Sequence, residues 1–276
     1  FDEKLYQSTL ETKRMGRMMV VEEEVGSTQD EVGAILSKVP SSEVGSLAWT
    51  CARQVKGHGR RGNVWEGPKL GAMMTAVTQW PMKQAEKLPL IQHAAALAVC
   101  EGLMGVEGLH DAVELRIKWP NDIYARSRHA THLKGVPARG VFRAPPAVDE
   151  DGGKGVLYKV GGLLCQSTVF RPKEDAAVMI GIGINLAGAE PFADLHQLGG
   201  IELKREEVLA RVLNSLEQRI SHLQEHGWDD AIIEPYEALW LHTNQVVRLA
   251  DGTTATIKQV SREDGTLIAQ KSGRED

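Results

Sequence analysis

Cysteine is scarce in this sequence, and the residues that commonly bind metals are not paired. The three cysteines, Cys51, Cys100 and Cys165, stand far apart, which argues against a disulfide framework and favours a reducing compartment. The histidines form no HExxH motif or other paired spacing, so the sequence predicts no metal site held by the protein alone. No apolar run is long enough to cross a membrane, and no secretory signal opens the chain. These absences predict a soluble protein of the cytoplasm.

Positive charge and aromatic residues are also in short supply. Asp and Glu number 37 against 32 for Lys and Arg, which gives a net charge of −5, and aromatic residues make up 5% of the chain. A general nucleic-acid binder usually carries a basic domain and aromatic rings on which bases stack, so this class is disfavoured. Hydrophobic residues at 42% and charged residues at 25% are typical of globular proteins. A chain of 276 residues can form one large domain with a small appendage.

The spacing of apolar residues predicts both helices and strands. The charged stretch before Ser27 gives no clear element, and Ser27 or Thr28 is predicted to cap the first helix. Further helices are predicted over residues 88–104, 204–227 and 231–240. Strands are predicted over residues 72–80, 115–119, 158–170 and 178–188, the second of them ended by Pro120.

Two segments depart from this pattern. Residues 126–155 include RAPPAVDEDGGKG, whose prolines, glycines and acidic residues predict a mobile surface insertion. The tail has the period of short strands, with the hairpin signals Asp251-Gly252 and Asp264-Gly265 between them. We therefore predict a catalytic domain over residues 1–240 and a small β module, which looks short, over residues 241–276.

The stretch KGHGRRGNVW (residues 56–65) is the most unusual local sequence. Its glycines permit close approach of the backbone to an anion, and Arg60 and Arg61 can meet a phosphate or a carboxylate. Trp65 offers a flat face on which a base can stack. A solvated turn between two strands is an equal alternative for such a composition. The glycine order is neither GxGxxG before a helix nor GxxxxGK[ST], so neither common nucleotide motif applies.

Three further motifs put polar groups at strand ends or glycines inside strands. KWPND (residues 118–122) sets a lysine at a strand end and an aspartate beyond a rigid proline. KVGGLL (residues 159–164) interrupts an apolar strand with glycines, which suggests close approach of a ligand or another backbone. GIGIN (residues 181–185) ends an apolar strand on Asn185, whose amide can donate and accept hydrogen bonds. Taken singly, each motif also fits an ordinary structural role: a strand stop, a bulge with a surface lysine, or core filling.

In combination these motifs are specific. GSTQ, QVKGHGRRGNVW, KWPND, KVGGLL and GIGIN, in that order, resemble the catalytic domain of biotin protein ligases, from about residue 25 to the end of the chain. The resemblance implies an α+β fold: a mixed β-sheet packed with helices, of the class II synthetase type, followed by a small SH3-like β module. Lipoate ligases share this fold, but they lack this order of arginine loop and tryptophan.

The resemblance also implies an activity. Members of this family make biotinyl-5′-AMP from biotin and MgATP, and they then transfer biotin to one lysine of a carboxylase carrier domain. By resemblance, the catalytic residues are Lys159, Arg60 and Asp122. The implied biotin-binding residues are Ser27, Thr28, Gln54, Gly57, His58, Gly59, Lys159, Gly161 and Gly162. The implied ATP- and adenylate-binding residues are Arg60, Arg61, Trp65, Lys118, Asn121 and Asn185.

Individual roles follow from the same resemblance. Lys159 and Arg60 are expected to supply charge between the biotin carboxylate and the α-phosphate, with Mg²⁺ shared among the phosphates. Ser27, Thr28 and Gln54 are expected to hydrogen-bond the ureido ring of biotin. Trp65 is expected to cover the adenylate and Asn185 to contact the adenine. Asp122 is expected to hold or deprotonate the incoming lysine.

The sequence departs from the family pattern in three ways. His58 stands where the family loop usually has arginine, and histidine titrates near neutral pH. A long insertion separates Asp122 from Lys159, which leaves Lys134 as a rival for the lysine role. No helix-turn-helix precedes the ligase region, so no DNA binding is expected, and the chain is expected to be a monomer or a homodimer. A lipoate or octanoyl transferase, or a non-enzymatic binding module, are the alternative functions.

Overall fold

A computed structural model describes residues 1–59, 62, 64–65, 67–129, 133–143, 156–170 and 175–271. Within them the chain forms one large mixed sheet with helices on both faces, and a separate three-stranded sheet near the C-terminus. The helices are α1 (Glu3–Thr9), α2 (Thr28–Ile35), α3 (Leu88–Met104), α4 (Leu109–Ala112), α5 (Leu195–Gly199), α6 (Arg205–Glu225) and α7 (Asp230–Leu239). The strands are β1 (Met18–Val25), β2 (Leu47–Gln54), β3 (Gly57–His58), β4 (Val64–Trp65), β5 (Leu70–Pro81), β6 (Val113–Lys118), β7 (Asp122–Ser127), β8 (Val141–Arg143), β9 (Val156–Phe170), β10 (Asp175–Ala187), β11 (Val246–Arg248), β12 (Thr254–Val260) and β13 (Leu267–Lys271).

The large sheet has the strand order β1-β2-β5-β10-β9-β7-β6, with β8 added beside β9. β1 and β2 run parallel, and the other neighbouring strands run antiparallel. The central strand β10 is buried along most of its length, which is why its sequence reads as an apolar run without alternation. In its register with β9, Gly183 lies opposite Gly162. Glycines of neighbouring strands therefore meet in the middle of the sheet.

The main core lies between this sheet and the pair α3 and α6. Almost every residue of α3 from Leu90 to Leu103 is buried, as expected of a helix that is apolar all round. A Cβ added at Gly102 would lie 2.6 Å from the Cα of Val212 on α6, so the two helices approach more closely here than any side chain permits. A smaller apolar cluster on the other face packs α2 against β2, β5 and β10.

Most predicted elements are confirmed, but the structure also orders the stretch before Ser27. There, α1 is fixed by contacts distant in sequence: the hydroxyl of buried Tyr6 donates to the carbonyl of Gly16 at 2.8 Å. The backbone N–H groups of residues 13, 14 and 15 all donate to the carboxylate of Glu217 on α6. β1 is an edge strand whose glutamates face solvent. Neither α1 nor β1 has the apolar periodicity from which a helix or a strand is predicted.

The insertion is only partly a loop. β7 continues to Ser127, and β8 pairs with β9 through Val141 and Tyr158. The hydroxyl of Tyr158 also accepts a hydrogen bond from the backbone N–H of Leu133 at 3.0 Å. These residues are therefore strand and packed connection rather than loop, because they pair with and pack against β9. The mobility of the insertion stays a prediction. Residues 130–132 and 144–155, which hold most of the proline- and glycine-rich stretch, lie outside the described residues.

The C-terminal strands form an antiparallel sheet in the order β11-β12-β13. Both predicted hairpin signals occur at turns, with Gly252 and Gly265 at φ values of +84° and +71°. This confirms the small β module. The division of the chain at residue 241 stays a prediction. No helix in the described part of the chain combines the length and apolar character that a membrane crossing requires.

Candidate active site

The centre of the site is a glycine strip, formed by Gly181 and Gly183 on one face of β10. Gly181 and Gly183 project to the same face of β10, because successive residues of a strand alternate between faces. A Cβ at Gly181 would lie 2.9 Å from the Cδ of Gln29, and a Cβ at Gly183 would lie 2.7 Å from the Nε1 of Trp65. The amide of Gln29 and the indole of Trp65 therefore lie directly on the sheet, in space that only glycine leaves open.

One end of this strip meets the N-terminus of α2. Ser27 occupies the N-cap position in an extended conformation, without a capping hydrogen bond from its side chain. The backbone N–H of Thr28 donates to the Oε1 of Gln54 at 2.9 Å, and its hydroxyl lies 3.2 Å from the same oxygen. The Oγ1 atoms of Thr28 and Thr75 are 2.8 Å apart. These four buried polar residues form a continuous set of donors and acceptors beside the glycine strip.

The other end carries an ion pair. The Nζ of Lys159 on β9 lies 2.5 Å from the Oδ1 of Asp122 at the start of β7, and the two side chains are 26% and 24% exposed. The same ammonium lies 5.6 Å from the centre of the Trp65 ring. Lys134, the rival candidate, is exposed on the insertion. Lys159 is thus the lysine that the fold brings beside Asp122 and Trp65.

The turn before Asp122 is clamped to β9. The side-chain amide of Asn121 donates to the carbonyl of Leu163 at 2.6 Å, and the backbone N–H of Leu163 donates to the carbonyl of Asn121 at 2.9 Å. The amide nitrogen of Asn121 thus holds the turn, and its contact with the adenylate stays a prediction. Lys118 lies with its Nζ 5.5 Å from the ring centre of Tyr124 and 5.9 Å from that of Phe142.

Asn185 is buried at the end of the glycine-containing stretch of β10. Its amide nitrogen donates to the carbonyl of Ala193 at 3.0 Å. That bond fixes the side chain and uses one of the two N–H donors of its amide. The oxygen and the second N–H are the groups that a ligand could use.

The glycine-rich stretch begins as a short hairpin of β3 and β4. Gly57 packs against the side chain of Gln54 and the carbonyl of Trp65, where a Cβ would collide with both. The backbone N–H of Lys56 donates to the carbonyl of Gly26 at 2.8 Å, which ties the hairpin to the start of α2. The Nε2 of His58 lies 2.8 Å from the Oδ2 of Asp30, at an exposed position. His58 thus contacts a carboxylate of the protein.

Some of the remaining residues predicted to bind substrates lie in the site, and the others lie outside the described residues. Gly161 and Gly162 lie on β9, where a Cβ at Gly161 would be 2.8 Å from the carbonyl of Gly183 and one at Gly162 would be 3.3 Å from the Oδ1 of Asp122. Gly59 follows β3 directly. Arg60 and Arg61, predicted to bind phosphate, lie outside the described residues, so their roles stay predictions.

Two residues of the site were given no role by sequence reasoning. Thr75 is a lone hydroxyl within an apolar strand, and only the pairing of β2 with β5 brings it to Thr28. Gln29 spans the sheet face, and its amide donates to the carbonyl of Leu164 at 2.9 Å. The position of Gln29 in the GSTQ motif is the sequence feature that could have indicated its place in the site.

Residues 25–185 match the model of the biotin/lipoate A/B protein ligase family. A biotin–protein ligase of Homo sapiens is 26% identical over 288 residues, which cover 100% of this chain and 35% of the human protein. Biotin–protein ligase 1, chloroplastic, of Arabidopsis thaliana is 32% identical over 260 residues, covering 91% of this chain and 60% of the relative. The chain therefore spans between about a third and three fifths of the length of these relatives.

Solved structures show the same fold. The biotin protein ligase of Aquifex aeolicus in complex with biotin and ATP superposes with a TM-score of 0.62 at 20% identity, covering 93% of this chain and 95% of that one. The ligase of Leishmania major in complex with biotinyl-5-AMP gives 0.57 at 18% identity, covering 92% and 99%. These likenesses confirm the predicted α+β class, a mixed sheet with helices and a small additional sheet. The chain belongs to the biotin/lipoate A/B protein ligase family.

Proposed function

We propose that this chain is a biotin protein ligase, which joins biotin to ATP as biotinyl-5′-AMP and then transfers biotin to a lysine of a carboxyl carrier domain. The observation that carries the proposal is the ion pair of Lys159 and Asp122 at the end of a glycine strip, beneath the Trp65 ring. The Lys159 cation suits the carboxylate of an acid, the Trp65 face suits a nucleotide, and the Asp122 carboxylate suits an incoming amine. The relatives named biotin–protein ligase support it.

Recognition of biotin is assigned to the buried polar set at the N-terminus of α2. A ureido ring has two N–H donors and one carbonyl acceptor, and each would lose its hydrogen bonds to water on entering an apolar site. Gln54, Thr28 and Ser27 offer both donors and acceptors there. Thr75 would hold the Thr28 hydroxyl in place. The ring would therefore bind at this end, with its acid chain running along the glycines towards Lys159.

The first step joins two anions. A biotin carboxylate oxygen forms a bond to the α-phosphorus of ATP, and the bond to the departing pyrophosphate breaks. The Lys159 ammonium lies where it could offset repulsion between the carboxylate and the phosphate, and Arg60 is proposed to add a second charge. Trp65 offers its face to the adenylate, and the Asn185 oxygen is the remaining acceptor for the adenine. Holding both reactants in line removes much of the entropic barrier.

The second step transfers the acyl group. The amine of the carrier lysine, once it has lost its proton, attacks the acyl carbon of biotinyl-AMP, and AMP departs with the bonding electrons. Asp122 is the carboxylate beside this position, and we assign to it the holding or deprotonation of the incoming ammonium. Its pairing with Lys159 orients the carboxylate before the carrier domain arrives.

Magnesium is expected with ATP, but the described residues do not form a protein site for it. No three His, Cys, Asp or Glu side chains among them cluster closely enough to hold a metal ion. Mg²⁺ commonly enters with phosphates and retains several waters, and none of the steps above is routed through it. A cytoplasmic location is likewise proposed, while one relative is named chloroplastic.

A biotin-dependent exchange of pyrophosphate into ATP tests the proposal. We expect exchange with biotin and none with lipoate or octanoate, because a ureido ring uses the polar set at α2 and an alkyl chain or dithiolane does not. Biotin, and not lipoate, should also raise the melting temperature, since a ligand stabilises the state that binds it. Exchange that depends on lipoate instead would favour the alternative function, a lipoate or octanoyl transferase.

A further inference from the structure

The C-terminal sheet contacts the turn that carries Asp122. The backbone N–H of Trp119 donates to the Nε2 of His242 at 2.9 Å, and its indole N–H donates to the carbonyl of Gly265 at 3.1 Å. The first acceptor follows α7, and the second lies in the turn between β12 and β13. Two separate parts of the C-terminal region therefore hold one tryptophan of the catalytic sheet.

These contacts fix the protonation of His242. A backbone N–H can only donate, so the Nε2 that receives it must be unprotonated. The proton is then on Nδ1, which lies 2.6 Å from the Oε1 of Gln245 and donates to it. Burial lowers the pKa of His242; the Gln245 contact opposes this, and the positive charge of Lys118 adds to the lowering. The Trp240 and Phe142 rings pack around the imidazole with centroids 5.8 and 6.4 Å away. The neutral imidazole is the form that both geometry and surroundings favour.

A short path joins His242 to the reacting groups. Trp119 is three residues before Asp122, and Asn121 between them is clamped on both sides to Leu163. The turn is thus held at its start by His242, at its centre by β9 and at its end by Lys159. Removing the first support would let the turn shift relative to β9. A displacement of about 1 Å in a reacting group can cost about 10²-fold in rate.

We propose that His242 is a positioning residue: as a neutral acceptor for the Trp119 N–H, it lets the C-terminal region set Asp122 against Lys159. Its catalytic consequence rests on the proposed ligase function. It does not touch the substrate, so its loss should lower kcat and leave biotin binding at the α2 end nearly unchanged.

Three variants separate this role from a general loss of structure. His242→Leu removes the acceptor, while His242→Gln retains an oxygen the same number of bonds from Cα as the Nε2. His110→Leu alters a histidine that is 65% exposed on α4 and serves as the matched control. We expect His242→Leu to lower kcat for carrier biotinylation at least about 10-fold, with KM for biotin changed less than about 3-fold. His242→Gln should recover most of kcat, and His110→Leu should match the wild type. Equal losses in the Leu and Gln variants, or an unchanged kcat in His242→Leu, would overturn the proposal.

The pH profile supplies a second readout. Because the pKa of His242 is lowered, the wild type should lose kcat only as the pH falls below the ordinary histidine value of about 6.5. His242→Gln cannot protonate, so the ratio of wild-type to variant kcat should fall over that range. A ratio that does not change with pH would contradict the assigned acceptor role.

A spectroscopic measurement keeps the two proposals apart. If the wild type shows no biotin-dependent exchange, the ligase function fails, and the positioning role is then decided by nuclear magnetic resonance. The Nε2 of His242 should show the ¹⁵N shift of an unprotonated nitrogen. The carboxyl ¹³C resonance of Asp122 should move in His242→Leu but not in His110→Leu. A protonated Nε2, or an unmoved Asp122 resonance, would refute the positioning role whatever the activity.

Discussion

Replacing Gly183 with alanine is expected to weaken nucleotide binding while leaving biotin binding intact. The new Cβ would lie 2.7 Å from the Nε1 of Trp65 and 2.8 Å from its Cε2. Ordinary contacts begin near 3.4 Å, so the rigid indole must retreat by several tenths of an ångström. Overpacking of this kind costs about 1–3 kcal/mol. Free protein can relieve the strain by moving the indole, whereas a bound nucleotide holds the indole in place, so the cost falls on the complex and raises Kd by about 5- to 150-fold.

The assay is calorimetric titration with an ATP analogue that carries a methylene bridge between the α- and β-phosphates, in the presence of saturating biotin. Gly33→Ala is the matched control, because nothing lies within 4 Å of its new Cβ on the exposed side of α2. Gly181→Ala should instead weaken biotin binding, since its Cβ would meet Gln29 beside the proposed biotin end. An unchanged Kd for the analogue in Gly183→Ala, in a folded variant, would refute the assignment of Trp65 to the adenylate.

Three further outcomes are expected. Gly102→Ala should lower the free energy of unfolding by about 1–3 kcal/mol in urea titration, because its Cβ would lie 2.6 Å from the backbone of Val212; an unchanged midpoint would contradict the close helix contact. The contribution of His242 to the free energy of unfolding should be fully present above a pH of about 6.5 and decline below it. The pKa of His242 is lower in the folded than in the unfolded chain, so the unfolded chain binds the proton more readily. The urea midpoint should therefore decline less with falling pH in His242→Gln than in the wild type. Arg60→Gly, on the sequence alone, should release biotinyl-AMP and label bystander proteins on a streptavidin blot; labelling no greater than that of the wild type would remove Arg60 from retention of the intermediate.

The sequence predicted the site best where the functional residues lie in short motifs of consecutive residues. Glycines in KVGGLL predicted a close approach of a ligand or another backbone, and a Cβ at Gly161 would lie 2.8 Å from the carbonyl of Gly183 on β10. The apolar strand after Lys159 also favoured this lysine over Lys134, and β9 brings it to Asp122. Such motifs work because a strand end or a glycine constrains its own neighbourhood, whatever the rest of the fold does.

The sequence was least informative where a residue's role depends on a partner distant along the chain. His242 and Trp119 are 123 residues apart, and neither residue carries a local pattern that announces the hydrogen bond. The same is true of Glu217, which accepts the backbone N–H groups that order the N-terminal segment. The sequence also did not predict that the amide nitrogen of Asn121 holds the backbone of β9. A side chain's neighbours, which decide its role, are set by tertiary packing.

The central claim is that Lys159 supplies the charge that allows biotin and ATP to react, and one experiment tests it most directly. Biotin-dependent pyrophosphate exchange is measured for the wild type, Lys159→Ala and Lys134→Ala at equal concentrations of folded protein. We predict exchange in the wild type, a loss of at least about 10²-fold in Lys159→Ala, the scale of removing one transition-state donor, and near wild-type exchange in the exposed Lys134→Ala. A greater loss in Lys134→Ala than in Lys159→Ala, or no dependence on biotin in the wild type, would contradict the account.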